Sequence, residues 1–460
     1  MKLYPQHIHL ISLSSGDMLF FHTSTLQIYP FDRDSPVLEF LLTLQRNNIA
    51  KTKQIYGEAD FDQIYDFVCK TLSSAPKSLL NKKIDTDVEE YRSIVLPIAA
   101  SCNLNCPYCF AQTDGGFKFP NYTKEDIEKV AVFLMENTPV EQPVNICFFG
   151  GEPLLKINII KFTIQYFKDK YPNRSISYSI TTNGTILNDE IIQLFKENNF
   201  AIMLSIDGPN NEFNLRLFRD GKSSVKKVLE NIEWLRREKI SLELRATLVN
   251  ENPYILDSYR FFEELKVPFD IVFAYSSANK THHYADYKTD NLKQIEQQLD
   301  DVLAFYIDKL QAREKIYNNM ILRLSNYLRF RVKKRLSCGA GVSYFTITGD
   351  GNIFSCAHFM NDIRYKIGNI ATGIEDKSKY IPVDITEIKD CKNCWIKFLC
   401  VGDCVAQKIL EGKSNNTSQI EGKCSLEKIT WSFYIKLYYY IMQIAPEYFI
   451  KTKEKNSEKK

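Results

Sequence analysis

The chain is 460 residues long, 44% hydrophobic and 25% charged, an ordinary composition for a globular protein with room for two or three cored domains. Its 59 basic and 56 acidic residues leave a net charge of only +3, which argues against a nucleic-acid or other polyanion-binding surface. No run of 18 or more apolar residues exists to span a membrane, and Met1 to His9 lacks the apolar core of a secretory signal, so a cytoplasmic location is expected.

Ile8–Leu13 and Met18–His22 read as the strands of a hairpin, with turn residues at Ser14-Ser15-Gly16-Asp17. Helical periodicity follows at Ser35–Gln45 and Asp60–Leu72, so residues 1–88 are expected to form a small α+β unit. In size, order and position it resembles the winged-helix peptide-recognition element at the front of many peptide-modifying enzymes. A cap on the next domain is the alternative.

From 89 to about 320 strands and helices alternate. Strands are expected at Ile94–Ala100, Val144–Phe149, Ser175–Thr181, Ala201–Ile206, Ser241–Val249 and Phe269–Tyr275. Helices lie between them at Thr123–Asn137, Lys156–Lys170, Leu187–Asn198, Ser223–Glu238 and Asp257–Leu265, with Thr123 and Asp126 as a capping box. This alternation implies an α/β fold, a partial (β/α)6 barrel whose working groups sit at the C-terminal ends of its strands. The first strand is followed by Cys102-x3-Cys106-x2-Cys109. Iron–sulfur cubanes normally take four cysteines, so a lone triplet leaves one iron open, and an open position marks a site that does chemistry. A zinc knuckle is the alternative for this stretch alone.

The loops after the next strands carry Gly150-Gly151-Glu152-Pro153, Thr182-Asn183-Gly184 and Ser205-Ile206-Asp207-Gly208. The glycines permit close backbone approach to a ligand, and Glu152 suits a ligand's ammonium group. Asn183, Ser205 and Asp207 offer groups suited to ribose hydroxyls. The triplet and the Gly-Gly-Glu-Pro segment together resemble the radical S-adenosylmethionine (radical SAM) family. That resemblance implies a [4Fe-4S] cluster on Cys102, Cys106 and Cys109, with the amino and carboxylate groups of SAM on the open iron. It gives Gly150, Gly151, Glu152 and Pro153 the amino-group role. Arg216 and Arg219 match an arginine-bearing segment that similar peptide-modifying members place near the SAM carboxylate, without saying which arginine acts.

Residues 290–335 read as helical and end in a basic run, Arg329 to Arg335, expected to be a solvated helix end. Cys338, Cys356, Cys391, Cys394, Cys400, Cys404 and Cys424 then resemble the seven-cysteine pattern of the SPASM domain, placed at 321–445, which implies two auxiliary clusters, expected to be [4Fe-4S]. The family's wiring gives Cys391, Cys394, Cys400 and Cys424 to an outer cluster and Cys338, Cys356 and Cys404 to an inner one. The inner set is one cysteine short; a substrate thiolate or another ligand, with His358 the nearby candidate, would complete it. By spacing alone, C-x2-C with C-x3-C equally suits a four-thiolate zinc site. Cys69 and Cys147 lie in apolar sequence and read as core residues. Past Trp431 an aromatic helix, Phe433 to Ile441, reads as packing surface, and 446–460 as a charged disordered tail.

The resemblance covers about residues 90 to 430 and implies a peptide maturase that forms a thioether or related crosslink in a ribosomally made peptide or protein. An electron donor such as flavodoxin or ferredoxin is implied with it, and no catalytic acid–base pair is expected. Cys394-Trp395 and Cys338-Gly-Ala-Gly341 resemble thioether-forming maturases. Anaerobic sulfatase maturases, the rival, place an acidic base directly after the residue matching Cys356, where this chain has Ala357. A zinc-stabilised peptide-binding protein without activity is the reading from a different class.

Overall fold

The structure is a computed structural model in which residues 7–74, 79–80, 89–111, 116–250, 254–274, 285–419 and 421–449 are described. Strands β1 (Ile8–Ser12), β2 (Met18–His22) and β3 (Gln27–Phe31) form an antiparallel sheet in that order. Helices α1 (Pro36–Arg46), α2 (Ile49–Tyr56) and α3 (Glu58–Ser74) follow. The strand β3 and helix α2 escape the sequence reading, because Pro30 interrupts one pattern and α2 buries little beyond Thr52. One face of the small sheet packs Ile8 and Phe20 against Phe40, Leu41, Leu44 and Phe61 of the helices. The other face, with Ile11, Leu19 and Phe21, joins the main core of the molecule. The N-terminal unit is therefore seated on the rest of the chain.

After the short β4 (Leu79–Leu80), six strands run parallel in sequence order. They are β5 (Ser93–Ala99), β6 (Val144–Gly150), β7 (Ile176–Thr182), β8 (Ala201–Ser205), β9 (Leu242–Leu248) and β10 (Phe269–Phe273). The crossovers are α4 (Lys124–Glu136), α5 (Ile157–Lys170), α6 (Asp189–Glu197), α7 (Val225–Arg237) and α8 (Ile255–Leu265). Thr123 and Asp126 close the expected capping box on α4. Along β6 every second residue, Val144, Ile146 and Phe148, is sealed in the core shared with α4 and α5. Asn145, Cys147 and Phe149 face the other way, Cys147 and Phe149 toward the cysteine loops and Asn145 bonded to Ser177 and Ser179.

Helix α9 (Thr289–Gln311) leads to α10 (Asn319–Leu324), inside which the expected boundary at 320 falls. The basic run does not end a helix. A π turn over Ser325–Arg329 gives way to β11 (Val332–Lys333), which pairs in parallel with β4, and Arg335 is held by Asp384. Next come β12 (Tyr344–Ile347), β13 (Asn352–Phe354), β14 (Gly368–Asn369) and β15 (Gly373–Ile374). They do not form a separate sheet: β12 pairs in parallel with β5 and extends the six strands to ten. The sheet stays open among the described residues, as a partial barrel requires. Short helices α11 (Lys397–Cys400) and α12 (Val405–Leu410) precede α13 (Glu421–Ile444), whose aromatic face packs against α9. Pro446–Phe449 continues as a 3-10 turn with Phe449 buried, so this part of the expected tail is ordered; 450–460 lie outside the described residues. No described helix is long and apolar enough to cross a membrane.

Candidate radical SAM centre

The cysteine triplet sits in the loop leaving β5, and three layers of hydrogen bonds fix its backbone. Gly151 N donates to Ala99 O at 2.7 Å and Glu152 N to Ser101 O at 2.8 Å, tying the loop after β6 to the entry of the cysteine loop. A Cβ on Gly151 would collide with the Ser101 carbonyl, and Gly150 adopts φ +134° against Ala99. What approaches these glycines is the cysteine loop itself. The sequence reading assigned that space to a ligand.

Asn183 Nδ2 donates to Cys102 Sγ at 3.6 Å and to Asn103 Oδ1 at 2.9 Å. Its Oδ1 accepts from the backbone N–H and the hydroxyl of Thr185. Asn103 Nδ2 in turn reaches Thr185 Oγ1 at 2.8 Å. Asn183, expected at the ribose, is thus committed to holding the first cysteine.

Glu152 is fully buried, and its carboxylate accepts from Leu154 N, Thr182 Oγ1 and Asn183 N at 2.7 to 3.0 Å. Burial pushes its pKa up to about 7 against those three bonds. No salt bridge reaches it among the described residues. Of the roughly four lone-pair sites of a carboxylate, three are taken, so a ligand ammonium would meet only one. Asp207 is equally buried: Oδ1 accepts from Arg216 Nε at 3.0 Å and Thr247 N at 2.9 Å, and Oδ2 from the Tyr108 hydroxyl. The Arg216 guanidinium also lies 5.4 Å over the Tyr108 ring. Tyr108, between Cys106 and Cys109, is therefore anchored by a buried ion pair. Both carboxylate oxygens of Asp207 are thus engaged by the protein, and Arg216 commits its Nε to the same pair. Arg219 differs: it is exposed, and its Nε donates to Cys102 O at 2.7 Å. Ser205 is half-buried at the end of β8, in register with Arg245. Pro153 opens the 3-10 turn after β6 and is buried.

The late cysteines fall into two groups. Cys391, Cys394, Cys400 and Cys424 line one cavity of about 410 Å³. Burial pushes Cys391 up to about 11, with Cys394 and Cys424 adding to it. Cys356 is buried and pushed well up by that burial, and it feels Cys404 and Cys338; Cys338 is the exposed member of the three. Cys356 and Cys404 share an apolar cluster with Cys109, Phe110 and Phe149. His358 stacks on Phe110 with centroids 4.0 Å apart, bridging the two cysteine loops. Cys147 is half-buried on the same face and packs against that apolar cluster, as its apolar sequence surroundings led one to expect. Cys69 lies in the core of the N-terminal unit. Trp395, next to Cys394, stacks on His9 of β1 at 3.7 Å and meets Phe21 edge-on.

The sequence reading gave no role to Asn103, Tyr108, Thr182, Thr185 or Asn214, whose Oδ1 accepts from Asp207 N at 3.0 Å; all five support the loops. Tyr108 carried a signal in lying inside the cysteine triplet; the others are short polar residues with none.

Comparison with known proteins agrees with this geometry. Residues 96–261 match the profile of the Radical SAM superfamily. A cysteine-type anaerobic sulfatase-maturating enzyme of Clostridium novyi (strain NT) is 29% identical over 343 residues, covering 68% of this chain and 88% of the relative. The radical SAM cyclopropyl synthase TigE of Paramaledivibacter caminithermalis is 26% identical over 373 residues, covering 74% of this chain and 73% of the relative. Among solved structures, native anSMEcpe with bound AdoMet and Cp18Cys peptide superposes with a TM-score of 0.61 at 20% identity, over 77% of this chain and 99% of that one.

The residues present fit the cofactors of that family. Burial pushes the Cys106 thiol up to about 12, with Cys109, Asp207 and Cys102 adding and Arg216 opposing, so three mutually sensing thiols await a cationic partner. Among the described residues no three side chains converge on a single metal ion, and a cubane does not ask them to, because its thiolates bind different irons. Glu152, fully buried with three hydrogen bonds and no salt bridge among the described residues, keeps one acceptor site that matches the ammonium of SAM. Residues 96–261 are a radical SAM domain, and the chain is an enzyme that uses SAM and a [4Fe-4S] cluster.

Proposed function

We propose that the protein is a peptide or protein maturase that abstracts hydrogen from a side chain or α-carbon of its substrate to close a thioether or related crosslink. In this reading Cys102, Cys106 and Cys109 hold the SAM cluster. Cys391, Cys394, Cys400 and Cys424 hold an outer auxiliary [4Fe-4S] cluster, and Cys338, Cys356 and Cys404 an inner one. A [4Fe-4S] cluster held by Cys102, Cys106 and Cys109 would supply the electron for reductive cleavage of SAM.

The chain's own residues bind, orient and exclude water. Arg219 is the arginine suited to the SAM carboxylate, since Arg216 is spent on Asp207. Ser205 remains for a ribose hydroxyl. Gly150, Gly151, Glu152 and Pro153 shape the amino-group side, mostly by holding the cysteine loop in place. Phe110, Phe149 and Tyr344 make the space between the triplet and the inner cysteines apolar, which keeps water from a radical. The inner set is left with three cysteines, and the position of the fourth suits a substrate thiolate. His358, stacked flat on Phe110 and kept neutral with a pKa near 4 by burial and Arg245, is better placed as a wall of that space than as a ligand. The observation that carries the reading is the division of the late cysteines into four around one cavity and two, Cys356 and Cys404, in the apolar cluster shared with the triplet, with Cys338 near enough for Cys356 to feel its charge.

Formylglycine formation, as in the sulfatase maturases, is the second reading, favoured by the identity to those relatives. Against it stands Ala357, a buried methyl group directly after Cys356 where a base would be needed. The N-terminal unit, a three-stranded sheet followed by three helices, suits recognition of a substrate peptide, and a flavodoxin or ferredoxin suits the electron supply.

The test is anaerobic reconstitution with SAM, a strong reductant and candidate peptides. Release of 5′-deoxyadenosine with loss of a pair of hydrogens and a crosslink in the peptide supports the proposal. An aldehyde trapped by a hydrazide supports the sulfatase-type reading instead. A colourless protein that binds zinc and releases no 5′-deoxyadenosine removes both.

A further inference from the structure

Lys408 lies on α12, one turn after Cys404, with only 2% of its surface exposed. Its Nζ donates to the carbonyls of Asn415 at 2.9 Å and Thr417 at 3.2 Å. No carboxylate makes a salt bridge with it among the described residues, so the hydrogen bonds of this buried ammonium go to neutral carbonyls. Such a charge is costly unless something negative lies near. The near negative groups are the Asp403 carboxylate and the thiolates of the cysteines. Gly402, part of the wall of the outer cavity, presents its missing side-chain position 3.8 Å from Lys408 Nζ. The ammonium also feels Cys391 and Cys400 of the outer set and Cys404 of the inner set, together with Asp403. The loop that holds it is built for cations: Lys413 Nζ is capped in the same way by the carbonyls of Ser418 and Gln419. Gln419 closes the arrangement by donating to Cys404 O at 2.8 Å.

We propose that Lys408 is a fixed counter-charge shared by the two auxiliary clusters, which raises the reduction potential of both and eases passage of an electron between them. This rests on reading the seven late cysteines as two iron–sulfur sites. A reduced cluster carries one more negative charge than its oxidised form, so a nearby cation in a poorly screened interior favours reduction. Lys408 is a positioning and tuning residue; it touches no reacting atom.

The experiment is an EPR-monitored redox titration of the reconstituted full chain, with Lys408→Met, Lys408→Gln and Lys408→Arg beside the native protein. Loss of the charge is expected to move both auxiliary midpoint potentials negative while that of the SAM cluster stays, and Lys408→Arg is expected to restore them. Native iron content with unmoved auxiliary potentials overturns the proposal. Loss of auxiliary iron in the Met and Gln variants but not in Arg supports it, since the charge is then what holds the clusters. Loss in all three overturns it, because a structural side chain then explains everything. Iron and sulfide sufficient for one cluster per chain in the native protein would instead sink the two-cluster reading.

Discussion

Arg216 donates from Nε to Oδ1 of Asp207 at 3.0 Å, and the carboxylate side chain is 1% exposed. The pair does not reach for a ligand; it holds Tyr108, the residue between the second and third cysteines, through the hydroxyl bonded to Asp207 Oδ2. Asp207→Asn keeps the shape but strands a buried guanidinium, a loss of about 3–5 kcal/mol for removing one partner of such a pair. Urea unfolding of the metal-free protein is expected to show that loss, and reconstitution a lowered iron content in the first cluster. If Asp207 instead bound ribose, the variant would keep its stability and lose only SAM affinity.

Glu152 gives the metal-free protein a definite pH dependence. Its folded pKa of about 7 exceeds its ordinary 4.5, so the native state binds a proton more tightly than the unfolded chain. The stability this supplies is fully present below 4.5 and is lost as pH rises through 7, a change of about 3 kcal/mol. Glu152→Gln has no charge to bury, so native and variant unfolding midpoints should differ more at pH 7.5 than at pH 4.5, with the variant gaining ground as pH rises (about 2–3 kcal/mol by the same linkage). An equal difference at both pH values would mean that Glu152 is not the group titrating.

Asn183 points an N–H at Cys102 Sγ. Donors to a ligating sulfur favour the reduced cluster. Asn183→Ala is therefore expected to shift the SAM cluster's midpoint potential negative and slow reductive SAM cleavage, with both auxiliary potentials unmoved. A potential equal to that of the native protein would contradict the role.

Trp395 ties the N-terminal sheet to the outer cysteine set through its stack on His9. Trp395→Ala removes the ring from both His9 and Phe21, at a cost of about 1–3 kcal/mol for a half-buried aromatic. The expected result is faster limited proteolysis between the N-terminal unit and β5, together with weaker binding of a substrate peptide. Unchanged proteolysis would show that the unit is held by other contacts.

Much of the fold was legible in the chain because buried parallel strands and amphipathic helices write their periods directly. All six barrel strands lie within two residues of their expected limits, and Thr123 with Asp126 marked the start of α4. Short, exposed or proline-bearing elements were not legible: β3 with Pro30, α2 with one buried residue, and a basic run that became β11. Joining β12 to β5 was equally invisible, since nothing local encodes which distant edge a strand will meet.

Sequence alone determined the three-cysteine motif, the order of the loops and the presence of seven late cysteines, because residue number and spacing are properties of the chain; their division into four and three is what the family resemblance implies. Only the tertiary structure decided what the polar residues of those loops do. Glu152, Asn183, Asp207 and Arg216 are the types that bind a nucleoside or an amino acid, yet each spends its hydrogen bonds on the protein. A buried polar group takes the nearest partner that satisfies it, and folding brings the cysteine loop closer than any ligand.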